Sequence, residues 1–186
     1  MEKLLLHVCC APCSIAILSE LAEQFILQVF FYNPNIYPDT EYEKRKKEVI
    51  RVCQEMNIPY TDGVYRPQDW ETVAGGGGEE PEGGDRCLAC FRLRLQAAAR
   101  QAQDMGCHIF TTSLTMGRNK DARKINPLGQ TIAQENGLEY LSEDWKKNGR
   151  QEKAVRLVRE KNIYRQDYCG CRFSLEESRR IKRSKT

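Results

Sequence analysis

The chain has 186 residues, 30% charged and 40% hydrophobic, with 29 Lys and Arg against 26 Asp and Glu and a formal net charge of +3. That length suits one domain with a full hydrophobic core, and so small a net charge singles out no class of partner. Nine cysteines are an odd number, so complete internal disulfide pairing is excluded.

In chain order, residues 3–8 read as a buried strand, and residues 14–23 as a helix with Ile15, Leu18 and Leu21 on one face. A second β-rich run at 26–32 closes on the turn Asn33-Pro34-Asn35. Residues 40–57 make a long charged helix with Val49, Val52 and Met56 inward, and 59–64 a third strand. Periodicity then vanishes around Gly75-Gly76-Gly77-Gly78, within a glycine-rich loop at about 74–85. A helix at 86–105, a strand at 107–113, a helix at 124–136, a short strand at 138–141 and a helix at 151–161 follow, before a basic tail at 176–186. Strands separated by long helices imply right-handed crossovers. The predicted fold is therefore α/β, a Rossmann-like three-layer sandwich on a parallel sheet, in a single domain over 1–186.

Such sheets form their sites at the carboxyl ends of the strands. There the first strand runs into His7-Val8-Cys9-Cys10-Ala11-Pro12-Cys13, the second into Asn33, and the fourth into Thr111-Thr112-Ser113. Two more thiol groups lie downstream, Cys87-Leu88-Ala89-Cys90 and Cys169-Gly170-Cys171. Nothing before Leu4 resembles a secretory leader, and the apolar stretch there is too short for a membrane span. A cytoplasmic setting is expected, where grouped cysteines serve metal or redox chemistry. Thiolates are soft ligands for zinc or iron–sulfur clusters, and these seven exceed the needs of one tetrahedral ion. Cys87 and Cys90 open a helix whose N-terminus favours thiolates; alone, the pair also fits an exchanging dithiol or half a zinc knuckle. Cys53 and Cys107 stand alone and read as small buried hydrophobes. A nucleotide-binding first loop is glycine-rich, so that amides can reach phosphate. This one has no glycine, and Pro12 has no N–H to offer.

Together these motifs resemble, nearly end to end, the cobalamin-independent epoxyqueuosine reductases. The resemblance rests on His7-x-Cys9-Cys10-x-Pro12-Cys13, Tyr32-Asn33-Pro34-Asn35-Ile36-x-Pro38, Glu41-Tyr42 and Arg45-Lys46. It continues through Pro81-Glu82-Gly83-Gly84-x-Arg86-Cys87-x-x-Cys90-Phe91, Arg94-Leu95, Thr111-Thr112, Lys120 and Trp145-Lys146-Lys147-Asn148-Gly149, and ends in Tyr164-Arg165-Gln166-x-Tyr168-Cys169-Gly170-Cys171. Trp145 stands where a phenylalanine is expected, and Met116-Gly117-Arg118 where a Ser-Pro-like turn is expected.

The resemblance implies an adenine nucleotide α-hydrolase-like sandwich and the last step of queuosine biosynthesis. In that step the epoxide of epoxyqueuosine, at the wobble position of tRNA, is reduced by two electrons to an alkene with loss of water. It also implies a [4Fe–4S] cluster, an adjacent mononuclear iron, an external electron donor and no membrane association. The expected ligands are Cys9, Cys10, Cys13, Cys87, Cys90, Cys169 and Cys171. In the division we expect, Cys9, Cys10, Cys87 and Cys90 hold the cluster, leaving Cys13, Cys169 and Cys171 to the second metal or its surroundings. His7, Tyr32, Asp39 or Asp121 would supply protons.

For the tRNA, the expected phosphate contacts are Lys44, Arg45, Lys46 and Lys47, Arg92, Arg94 and Arg100, Lys146 and Lys147, and the basic tail, with Tyr32, Phe91 or Trp145 stacking an anticodon base. Arg165 is expected to balance thiolate charge. The glycine-rich loop is expected to be a mobile lid over the metals. Two other classes compete: an ATP-dependent tRNA-modifying enzyme of the same sheet order, which ATP binding would reveal, and a non-catalytic zinc RNA-binding protein, which would be colourless.

Overall fold

The structure is a computed structural model and describes residues 1–76 and 80–184. Five parallel strands, β1 (Lys3–His7), β2 (Ile26–Phe31), β3 (Tyr60–Asp62), β4 (Ile109–Thr112) and β5 (Glu139–Tyr140), form one sheet in the order β3-β2-β1-β4-β5. β1 is central, with Leu4 opposite Leu27 on one side and opposite Ile109 on the other. A strand paired on both edges and covered on both faces carries a continuous apolar run, and Leu4, Leu5 and Leu6 are fully buried.

Alternation along β1 divides the core. Leu4, Leu6 and Val8 pack with Val29 and Phe31 beneath α1 (Ala11–Leu21), α2 (Asp39–Glu55) and α6 (Arg150–Glu160). Leu5, Phe30 and Phe110 pack on the opposite face with Leu95, Ala98 and Ile125 of α4 (Asp85–Asp104) and α5 (Ala122–Glu135). The expected sandwich is thus present, with Cys53 in the first core layer and Cys107 in the second. Among the described residues no helix is long and apolar enough to cross a membrane.

Two further helices lie where none was expected. α3 (Pro67–Ala74) begins on a proline, whose missing N–H is harmless in a first turn. α7 (Arg172–Arg183) occupies the segment expected to be a basic tail; of its residues only Ser174 is buried, which leaves little apolar signal to read. Tertiary contacts hold it instead. Arg172 pairs with Glu71 of α3 at 3.0 Å, and Phe173 meets Trp70 with ring centroids 6.2 Å apart. Lys185 and Thr186 of that tail, and Gly77, Gly78 and Glu79 of the expected lid, lie outside the described residues.

Candidate metal centre

Pro12 explains the local geometry at the end of β1. Because proline fits the first turn, α1 opens at Ala11, earlier than its apolar periodicity indicates, and Cys10 becomes the N-cap. Cys9, Cys10 and Cys13 therefore crowd the positive end of a helix, with all three sulfurs within 4.8 Å of one another and the Cys9 and Cys10 sulfurs 3.7 Å apart. The Cys9 amide donates to Ser113 Oγ at 3.1 Å, and Gln166 Nε2 donates to Cys10 Sγ at 2.9 Å. Hydrogen bonds from the Cys10 and Cys13 thiols hold Cys9 well below the ordinary thiol range, aided by the charges of Arg94 and Lys120. Cys10 is favoured by its bond to Cys13, yet its bond to Cys9 and its burial push it up to about 12. Cys13 is raised by the same two neighbours and by burial.

The other four thiols face one another across α4 and α7. Cys87 lies in the first turn of α4 and accepts the Gly83 amide at 3.3 Å. Burial, against that amide, pushes its thiol up to about 11, and Cys169, Cys90 and Cys171 add to the rise. Cys90 and Cys171 share a small buried cluster with Trp70 and Ala74. Gly170 separates Cys169 from Cys171 at a φ of +148°, and an added Cβ would meet Asn35 Nδ2 at 3.1 Å and Arg45 Nη1 at 3.2 Å.

Two buried cations join the groups. Lys120 donates to Cys169 Sγ at 3.0 Å; burial would lower its pKa, but the charges of Cys169 and Cys9 and the hydrogen bond to Cys169 raise it overall. Arg94 donates to Asn33 Oδ1 at 2.5 Å, and its charge acts on both Cys9 and Cys90. Asn33 in turn donates to Val8 O at 2.9 Å, tying α4 to the end of β1. A third cation, Arg45, is balanced by Glu41 at 2.7 Å and donates to Cys169 O and Tyr168 O.

Among the described residues neither Arg94 nor Lys120 pairs with a carboxylate. Buried cations need anions beside them, and the acidic groups that face these two are thiols. The donor set fits a soft metal centre bound by thiolates. Sulfurs sharing one tetrahedral ion at bonds of about 2.3 Å lie roughly 3.8 Å apart, the spacing of Cys9 and Cys10.

None of the four expected acids lines the cleft that opens over the thiols. His7 is fully buried and accepts at Nδ1 from Thr112 Oγ1 at 2.8 Å while Nε2–H donates to Tyr32 O at 3.1 Å. Burial and then the charge of Arg94 lower its pKa to about 3, so it is a neutral scaffold residue. Tyr32 packs on Phe30 in the second core layer, its hydroxyl made harder to ionise by burial and by Asp69. Asp39 accepts from Tyr65 OH at 3.0 Å in the first turn of α2. Asp121 caps α5, and the Arg123 guanidinium and amide hold its pKa at about 2, so it is a carboxylate.

A cleft of about 910 Å³ opens over this centre. Cys9, Cys13, Arg94, Lys120 and Cys169 line it from below, with Glu82, Arg118 and Arg165 among its other walls. The unexpected sequence Met116-Gly117-Arg118 forms part of that lining, and a Cβ at Gly117 would strike Lys120 Cδ at 2.9 Å. The described end of the glycine-rich loop borders the same cleft, tied down by Asn119 to Glu82 at 3.1 Å and by Lys124 to Gly83 O at 3.0 Å.

The expected tRNA contacts divide sharply. Arg45 and Arg94 are each 2% exposed, and Lys146 donates to Thr115 O and Lys120 O, so these three serve the interior. Lys46 pairs with Asp62, while Lys44, Lys47, Arg92, Arg100 and Lys147 are exposed. Trp145, Tyr32 and Phe91 are all buried and cannot stack a base; Trp145 instead donates to Thr112 O at 3.0 Å. Arg165, expected beside the thiolates, is exposed on the cleft wall, and Arg45 and Arg94 take the place assigned to it. Reasoning from sequence missed Trp70 and the structural role of Gln166; the latter stands inside the Tyr164–Cys171 motif, but no local pattern marks the former.

The sequence profile of the family described as epoxyqueuosine reductase QueH matches residues 4–177. The epoxyqueuosine reductase QueH of Acinetobacter baylyi is 40% identical over 185 residues, covering 98% of this chain and 85% of its own. That of Thermotoga maritima is 35% identical over 182 residues, covering 96% and 93%. In three dimensions the chain is similar to the U34-tRNA thiolase NcsA from Methanococcus maripaludis, solved with its [4Fe–4S] cluster, at a TM-score of 0.58 and 14% identity over 98% of this chain and 66% of that one. That likeness bears on the fold, which is the adenine nucleotide α-hydrolase-like sandwich. Profile and relatives agree over almost the whole length, and the chain belongs to the epoxyqueuosine reductase QueH family, a family of oxidoreductases.

Proposed function

We propose that this chain reduces epoxyqueuosine to queuosine at the wobble position of tRNA, with the modified nucleotide entering the cleft over the thiols. The observation that carries the reading is the centre itself: seven cysteines in three groups, joined by two buried cations that, among the described residues, no carboxylate balances. Cys87 and Cys90, with two of the other five thiols, would hold a [4Fe–4S] cluster, and the three left over suit one further iron. When bound, these metals supply single electrons and Lewis acidity.

The chain's own groups do the rest. The helix ends at Cys9–Cys13 and Cys87 stabilise thiolates. Lys120 and Arg94 hold positive charge under the cleft, where an oxygen departing with negative charge is stabilised. Arg118 and Arg165, exposed on the cleft wall, suit phosphates flanking an inserted nucleotide. The electrons come from an external donor.

Protein purified without oxygen should be brown and contain iron and sulfide, and with a chemical reductant it should convert epoxyqueuosine in tRNA. Cys87→Ala should lose iron and all turnover. A colourless zinc protein, or a brown one that leaves epoxyqueuosine unchanged, would overturn the reading.

A further inference from the structure

We propose that the indole N–H of Trp70 donates to the sulfur of Cys90 and so tunes the reduction potential of the cluster that Cys90 helps to hold, making Trp70 a positioning residue that touches no substrate. The inference rests on the iron–sulfur reading above.

Trp70 lies on α3, 3% exposed, packed in the small buried cluster of Cys90, Cys171 and Ala74. Its Nε1 is buried with no hydrogen-bond partner. A buried indole N–H normally finds an acceptor, since leaving it bare forfeits the hydration it had in the unfolded chain. Phenylalanine would fill an apolar niche without that loss, so a tryptophan here calls for an acceptor. A second orphan lies close by: Arg94 Nε, on α4 one turn after Cys90, is also buried and unpaired. Both atoms are donors only, and Cys90 is the residue beside both, with Trp70 in its buried cluster and Arg94 one turn along its helix.

A neutral thiol is a poor acceptor, whereas a thiolate on a metal carries the charge that draws both N–H groups. The indole is also held in place. Phe173 lies against its ring, and the Arg172–Glu71 pair clamps α7 onto α3. Hydrogen bonds to the sulfurs of a cluster stabilise the reduced, more negative state and raise its potential.

Two variants test this: Trp70→Phe, and Trp70 replaced by the sulfur isostere 3-benzothienylalanine, which keeps the ring size and removes only the N–H. Iron and sulfide per chain are measured with the midpoint potential, by anaerobic titration followed by electron paramagnetic resonance. Both variants should keep the wild-type iron and sulfide content and titrate at a more negative potential than wild type. An unshifted potential in the isostere overturns the proposal, whatever Trp70→Phe does, since a shift in Phe alone would be a packing effect. Loss of iron from the isostere also overturns it, by making the N–H a requirement for cluster retention. Wild-type protein without an iron–sulfur signal would instead strike at the iron–sulfur reading, so the two failures are distinguishable.

Discussion

At the scale of single residues, the sequence reveals chemical type but not burial, and burial decides the role. His7 sits in a thiol-rich motif, yet its two ring nitrogens are both occupied, and it stays neutral with a pKa of about 3 against an ordinary 6.5. The consequence for stability has a definite sign. Below pH 6.5 the unfolded chain takes up a proton that the folded protein refuses until about pH 3, so stability present in full above 6.5 is lost as pH falls through that window. The slope attributable to one such group approaches about 1.4 kcal/mol per pH unit. His7→Gln keeps a donor and an acceptor but cannot titrate. Urea unfolding at pH 6.5 and pH 5 should show wild type losing roughly 1–2 kcal/mol more than the variant over that interval. Equal losses in the two proteins would show that His7 is not held neutral. Trp145 teaches the same lesson from the other side, since a wobble-base platform and a buried indole donating to Thr112 O look identical in sequence.

At the scale of elements, the strands and long helices were legible because apolar periodicity marks them, and the misses have physical causes. α7 is polar around most of its circumference and owes its place to Phe173 and Arg172, whose contacts with α3 no local window contains. The turn between the 3-10 helix Ser113–Met116 and α5 was equally opaque. Its geometry depends on Lys146, a residue far along the chain, which donates to Thr115 O at 2.9 Å and to Lys120 O at 2.5 Å. Lys120 from that same turn meets the Cys169 sulfur. Lys146→Ala should therefore loosen the turn, leave two buried carbonyls without their charged donor, and reduce stability by about 1–3 kcal/mol. Iron content should fall with it. Lys147→Ala removes an exposed side chain whose only ion pair, among the described residues, is a 3.9 Å contact with Asp144, and should leave both unchanged. Iron analysis and thermal melting of the two variants together check the distinction; an intact centre in Lys146→Ala would mean the turn holds without it.

At the scale of the whole molecule, the placement of the thiols was the most legible feature, because one rule of parallel sheets sends the ends of β1, β2 and β4 to the same edge. That Cys169 and Cys171 return there from the far end of the chain was not readable from spacing. It follows from Arg45 of α2 gripping the carbonyls of Tyr168 and Cys169. The same view moves the proposed tRNA surface. Charges counted along helices counted the interior as well, and with Arg45, Arg94 and Lys146 turned inward, the exposed cations nearest the centre are those of the cleft wall. Arg118 and Arg165 line the same cleft as Cys9 and Cys169, so phosphates held by them would flank a nucleotide entering over those thiols. Neither arginine touches a sulfur, so the Arg118→Ala/Arg165→Ala double variant should retain its iron. Its affinity for tRNA should fall, and the dependence of log affinity on log salt should flatten by about 0.7 for each single-strand phosphate left without its arginine, or about 1.4 for the pair. Measured at two or more salt concentrations alongside wild type, an unchanged slope would place the tRNA on another face, and the exposed group at Lys44, Lys47, Arg92 and Arg100 would be the next surface to vary.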